Sequence, residues 1–213
     1  MNILKPQKIL FNNLRKIENL TEEINICKEI DNICIENYKE DNANFADAKI
    51  EKAIVNKIEI INGNLGNNTF IDIEFNNCNF SNTSFENSSF IRCEFNNCKL
   101  IGCDFSESRI YNVSFIETNM GYSNFSMASI ESILFTNSSL RNSTFQENKF
   151  KNIIFKETDL TQVQFFKTSL KGIDFSDSVI EGMAVSIEDV KGAIINQFQA
   201  VDLLYLLGVK IKE

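Results

Sequence analysis

From Phe45 to Ile180 every fifth residue is Phe, Leu, Ile, Met or Val, in one register across twenty-eight consecutive centres. No α-helix or flat sheet has this period. Two residues before each centre stands a second series, mostly small: Ala43, Ala48, Ala53, Cys78, Thr83, Ser88, Cys93, Cys98, Cys103 and Ser108 are examples. In extended chain, residues two apart point the same way, so centre and small residue share one interior. Five is odd, and an unbroken strand would send successive centres to opposite sides. The chain must therefore turn once per repeat, and turning the same way each time coils it into an all-β solenoid.

Sorting the centres modulo twenty separates four sets. The sets that begin at Phe45 and Val55 have Phe at six of their seven positions, whereas those that begin at Ile50 and Ile60 have Phe at three and at one. A square coil of four pentapeptides has this property, with two aromatic faces opposite each other; a period of ten fits as well. Ala43 to Gly182 then makes seven coils of twenty residues, a rod about 34 Å long at the usual strand spacing.

Runs such as CNFSNTSFENSSFIRCEFNNCKLIGCDF and TDLTQVQFFKTSLKGIDF resemble the pentapeptide-repeat proteins. That resemblance implies a right-handed quadrilateral β-helix. The repeat is expected over residues 41–195, between an N-terminal cap and irregular link at 1–40 and a helix with a short strand at 196–213.

The chain contains no His, which removes the commonest general base and metal ligand. No Ser/His/Asp set, phosphate-binding loop or dinucleotide fingerprint occurs. Cys78, Cys93, Cys98 and Cys103 fill the small interior slot, with no CxxC among them. They read as small buried thiols rather than as a metal or redox centre; Cys78 and Cys98 should stack one coil apart. Glu74 and Glu94 also share a slot one coil apart, and read as a surface ladder rather than an acid/base couple. We expect a binding module, neither enzyme nor cofactor protein. No stretch approaches the roughly 20 apolar residues of a membrane span and the first residues lack a signal-peptide pattern, so a cytoplasmic protein is expected.

The formal net charge is -8, which disfavours direct contact with nucleic acid. The charge is unevenly spread: the Phe45 and Val55 faces are each net -4, whereas the Ile50 face carries Lys49, Lys52, Arg92, Arg109, Lys149, Lys151 and Lys171 against three acids. Acidic faces on a rod can imitate the regularly spaced charge of duplex DNA. The candidate mimic acids are Glu74, Glu86, Glu94, Asp104, Glu107, Glu117, Glu157, Asp174 and Asp177. An outward row, Ile71, Ile91 and Tyr111, repeats in one slot and is either a partner patch or a packing ladder.

Both ends depart from the repeat. Leu10, Leu14, Ile17, Ile24 and Cys27 recur at helical steps, Thr21 to Glu23 is a plausible helix start, and the link is placed near Glu36 to Asn42. At the other end, Asn196 is a good N-cap for QFQAVDLLYLL and Gly208 a stop. From Leu203 to Leu207 this helix is apolar almost all round. One face can close the solenoid's open edge and the other can meet a second copy, through Phe198, Val201, Leu203, Leu204, Leu206, Leu207, Val209 and Ile211.

The stretch from Ser169 to Ile211 resembles the C-terminal end of the Qnr-type quinolone-resistance proteins of Gram-positive bacteria: the helix contains Gln199 and Ala200, Leu207 and Gly208 stop it, and Val209 to Ile211 form an apolar strand. The resemblance implies a homodimeric DNA mimic that binds DNA gyrase or topoisomerase IV and protects it from fluoroquinolones. The alternative is an interaction scaffold whose partner is unrelated to topoisomerases.

Overall fold

The computed structural model describes residues 14–209. It is a parallel β-solenoid of about nine turns with a short C-terminal helix. The largest sheet stacks Arg15–Ile17, Glu29–Glu36, Lys49–Asn56, Thr69–Asn76, the pair Ser89–Ile91 and Glu94–Asn96, Arg109–Ile116, Ser129–Thr136 and Lys149–Lys156. From Glu29–Glu36 onward, neighbours pair in parallel at a step of twenty, as in Lys49↔Thr69 and Ser129↔Lys149, whereas Arg15–Ile17 pairs with its neighbour at a step of eighteen. The square coil is therefore the one formed, with the Ile50 and Val55 faces as its strand-rich sides.

The required corner falls two residues after each centre. From Asn32 to Lys167 every fifth residue has a positive φ, between 50° and 67°, the Gly102 corner included. About half of these residues are Asn, whose short amide tolerates the left-handed region better than most side chains. Corner amides also stack: Asn97 Nδ2 donates to Asn77 Oδ1 at 2.7 Å and Asn87 Nδ2 to Asn67 Oδ1 at 2.6 Å.

Inside, the phenylalanines of the two aromatic faces form columns. Phe75, Phe95, Phe115, Phe135, Phe155 and Phe175 stack at centroid spacings of 4.5 to 5.5 Å. Phe85, Phe105, Phe125, Phe145 and Phe165 do so at 4.6 to 5.3 Å. All these rings are buried. The small slot has a second function besides size: its side chain donates to the carbonyl of a centre in the preceding coil. Thr83 Oγ1 reaches Ile60 O at 2.9 Å, Ser123 Oγ reaches Leu100 O at 2.7 Å and Ser143 Oγ reaches Met120 O at 2.8 Å. The interior thiols make the same contact, Cys103 Sγ to Phe80 O at 2.9 Å being the shortest. Cys78 and Cys98 stack as expected, the Cys78 N–H donating to Cys98 Sγ at 3.4 Å. Burial pushes the Cys93 thiol up to about 12, so it stays protonated and donates.

The N-terminal expectation needs correction. Glu29–Glu36 and Lys39–Asp41 are in register with Lys49–Asn56 and Glu59–Ile61, and Asn32, Asn37 and Asn42 make ordinary corners. The coil thus extends through the expected irregular link at Glu36 to Asn42 and well into residues 1–40. Glu40 does occupy a centre slot; the Thr21 hydroxyl at 2.5 Å and the Tyr38 hydroxyl donate to its carboxylate, which satisfies a charge where an apolar side chain normally sits. The helix is Leu20–Ile26, started by Asn19 rather than Thr21: Asn19 Oδ1 accepts the Glu22 N–H at 3.0 Å. Leu20 and Ile24 pack inward, Ile17 is buried in a strand, and Cys27 is exposed at the helix end. Leu10 lies outside the described residues.

The repeat also changes before residue 195. A short helix, Ile187–Val190, capped by Ser186, takes one side of the last coil. Asn196 Oδ1 accepts the N–H groups of Phe198 and Gln199, and Gln199 Oε1 returns the contact by accepting the Asn196 N–H at 2.9 Å. This reciprocal cap leads into Ala200–Leu203, a 3-10 turn at Leu204–Leu207, and Gly208 at φ 68°. Helical structure therefore begins at Ala200 and tightens after one turn.

Candidate interaction faces

Three of the nine candidate acids, Glu74, Glu94 and Asp104, are half-buried; Glu86, Glu107, Glu117, Glu157, Asp174 and Asp177 are exposed. The fold distributes them over two opposite faces. Glu74 and Glu94 stand directly opposite each other in adjacent strands. Like charges in that relation destabilise a sheet, and burial followed by the charge of Glu94 holds the Glu74 carboxyl above its ordinary value. Glu107, Glu117 and Glu157 occupy left-handed corners. Asp104 and Asp174 have local duties: each accepts the backbone N–H two residues on, at 3.0 Å from Ser106 and 2.9 Å from Ser176. The Ser176 hydroxyl and N–H hold the Asp174 carboxyl below its usual value.

Among the described residues, no ion pair engages any of the nine. The Ile50 face is treated differently, because its three acids are all neutralised by bases of the same face. Glu51 meets Lys49 at 2.8 Å and Lys52 at 4.0 Å, Asp72 receives a two-pronged contact from Arg92 at 2.6 and 2.7 Å, and Glu131 meets Lys151 at 2.7 Å. Arg109, Lys149 and Lys171 enter no ion pair among the described residues. Negative charge on the Phe45 and Val55 faces is left largely uncompensated, while positive charge on the Ile50 face is mostly internal.

Ile71, Ile91 and Tyr111 pair in consecutive strands, half-buried, and the Arg109 guanidinium lies 5.9 Å from the Tyr111 ring centre. Between Lys149–Lys156 and residues 169–177 no strand pairing occurs, and a cleft of about 580 Å³ opens there, lined in part by Phe150, Lys156, Lys171, Asp174 and Asp177. Among the described residues no group of Cys, Asp and Glu is placed to hold a metal ion, and no helix is long and apolar enough to cross a membrane.

At the C-terminal end the expected interface residues divide. Leu203 and Leu206 pack on the core and serve the cap, and Leu204 is half-buried. Phe198 is 78% exposed and Leu207 70%, with Val201 and Val209 each about half exposed. Ile211 lies outside the described residues. Gln199 went unnoticed as a structural part. Its buried amide donates to Phe175 O at 2.8 Å and Ser178 O at 2.6 Å, the same kind of acceptors that Asn148 Nδ2 finds at Phe125 O and Ala128 O. Its place one residue past the small-slot register, where Phe198 stands, hid this role in the sequence.

These features define a class of protein: the chain is a right-handed quadrilateral β-helix of pentapeptide repeats. The family model described as the pentapeptide repeat region matches residues 68–142 and 88–165, which supports that family. Among solved structures, the chain is similar to full-length QnrB1, a plasmid-mediated fluoroquinolone resistance protein, with 21% identity, 85% of this chain and 95% of that one covered, and a TM-score of 0.43. It is also similar to HetL of the cyanobacterium Nostoc, a pentapeptide repeat protein involved in heterocyst differentiation regulation, with 10% identity, coverage of 79% and 90%, and a TM-score of 0.42. A pentapeptide repeat protein of the Arabidopsis thaliana thylakoid lumen has 23% identity, coverage of 42% and 63%, and a TM-score of 0.41. No curated protein sequence matches the chain. Likenesses at this level concern fold alone.

Proposed function

We propose that this protein is a DNA-mimicking binding protein that engages DNA gyrase or topoisomerase IV and shields it from fluoroquinolones. The observation that carries the reading is the set of nine acids without ion-pair partners among the described residues, on two opposite faces of a rod where successive coils lie roughly 4.8 Å apart. The Glu74 and Glu94 juxtaposition supports it further, because a charge pair that costs stability is more readily understood as serving a partner. The resemblance of Ser169 to Ile211 to the Qnr C-terminus points the same way. So does the exposed apolar end formed by Phe198, Val201, Leu207 and Val209, which suits association of two copies into a longer rod. A topoisomerase partner places the protein in the cytoplasm.

The test is a titration of the purified protein into a gyrase supercoiling assay containing a fluoroquinolone, with gyrase from a low-GC Gram-positive host. Restored supercoiling at low protein concentration is expected. The Glu74→Gln, Glu94→Gln, Glu117→Gln triple variant should need several-fold more protein, with a weaker salt dependence. Inhibition without protection would reduce the function to gyrase binding, and no effect at large molar excess would overturn it. A second reading, a scaffold for a partner unrelated to DNA enzymes, is favoured by one observation: Arg109, Lys149 and Lys171 keep positive charge on the Ile50 face, where a uniform mimic would have none.

A further inference from the structure

Among the described residues, twenty-seven other than Gly have a left-handed backbone, and all but two carry a side-chain amide, a serine hydroxyl or a formal charge. The exceptions are Tyr122 at φ 62° and Met127 at φ 59°. Bulky side chains pay for this conformation, by about 1 kcal/mol relative to the residues that prefer it. Neither is repaid by the core, since Tyr122 is 69% exposed and Met127 54%, and neither belongs to the interior cluster. Single exposed apolar residues on a protein surface are ordinary. Two of them at strained corners, where Asn would do better, need a reason outside the fold.

Their positions supply that reason. Tyr122 and Met127 are successive corners of one coil, on either side of the strip Ser123 to Ser126. This strip belongs to the Phe45 face near the middle of the rod. Gly102 precedes Tyr122 in its column by one coil, so the neighbouring corner on that side has no side chain of its own. Glu107 precedes Met127 in the same way, and Asp104 and Glu86 lie on the same face in the two preceding coils. Glu86, Asp104 and Glu107 make no ion pair among the described residues. An aromatic ring and a thioether thus flank a central strip next to uncompensated negative charge. Anchors that dominate protein interfaces have this character: large apolar side chains near the centre, with charges around them that set orientation.

We infer that Tyr122 and Met127 are paired anchors that seat the Phe45 face on a basic protein surface of the kind that grips a nucleic-acid backbone, inserting between its cations. The acids steer and the anchors hold; a pure charge mimic has no use for the second part. This inference rests on the proposed function and names the side of the rod that makes the contact.

The experiment compares the full-length wild type with Tyr122→Asn/Met127→Asn and with Tyr122→Phe/Met127→Leu, measuring thermal midpoint and affinity for the gyrase holoenzyme at fixed salt. The Asn variant relieves two strained corners, so its midpoint should equal or exceed that of the wild type. Its affinity should fall at least about tenfold, mainly through faster dissociation. The Phe/Leu variant should bind within about twofold of the wild type. Equal binding by the wild type and the Asn variant overturns the anchor role while leaving the proposed function standing. No binding by the wild type overturns the function and the anchor role together.

Discussion

At the scale of single residues, the corner governs this molecule more than the core does. The interior tolerates Phe, Leu, Ile, Met and Val at its centres, but each corner demands a left-handed backbone once every five residues. Asn137 tests this demand cleanly, since it is exposed, has φ 50° and makes no side-chain hydrogen bond among the described residues that would complicate the result. Asn137→Ala should cost about 1 kcal/mol, and Asn137→Gly should stay within roughly 0.5 kcal/mol of the wild type; chemical denaturation of the three proteins measures the difference. The centres and small slots were legible in the sequence because apolar and small side chains announce themselves. The corner slot was not, because Asn, Glu, Lys and Asp at every fifth position read equally well as a solvated surface. The donor function of the small slot was hidden for a similar reason: Ser, Thr and Cys were counted as small, whereas their hydrogen bonds to the preceding coil also select them.

At the scale of elements, ladders convert one residue's choice into a relation between coils. Stacked Phe columns and corner amides make that relation favourable, and Glu74 beside Glu94 makes it unfavourable. The sign follows from linkage. Burial and the neighbouring charge raise the Glu74 pKa in the folded protein, so ionised Glu74 destabilises at neutral pH and protonation relieves the penalty. Glu74→Gln should therefore raise the denaturation midpoint at pH 7, and its advantage should disappear as the pH falls below the ordinary glutamate range. A midpoint difference that does not change with pH would remove the charge explanation. The ends of the chain were the least legible elements. Glu40 looked like a break in the register, and only the three-dimensional proximity of Thr21 and Tyr38 makes a carboxylate acceptable there. In the C-terminal segment, apolarity all round concealed the division between Leu203 and Leu206, which close the core, and Phe198 and Leu207, which face outward.

At the scale of the whole molecule, that division bears on the proposed association of two copies. Phe198→Glu with Leu207→Glu should abolish self-association in sedimentation experiments and leave thermal stability nearly unchanged, because both side chains are exposed in the single chain. Of the candidate faces, the sequence revealed which carry charge but not which charges are cancelled, since neutralisation on the Ile50 face depends on pairs such as Asp72 with Arg92, twenty residues apart. The same step of twenty has a consequence for how such a protein changes over time. Removing or duplicating any twenty consecutive residues within the repeat returns each remaining side chain to its own face, so a single genetic event alters reach without repainting a surface. The molecule is in this sense a graduated ruler, whose smallest division is one coil, roughly 4.8 Å.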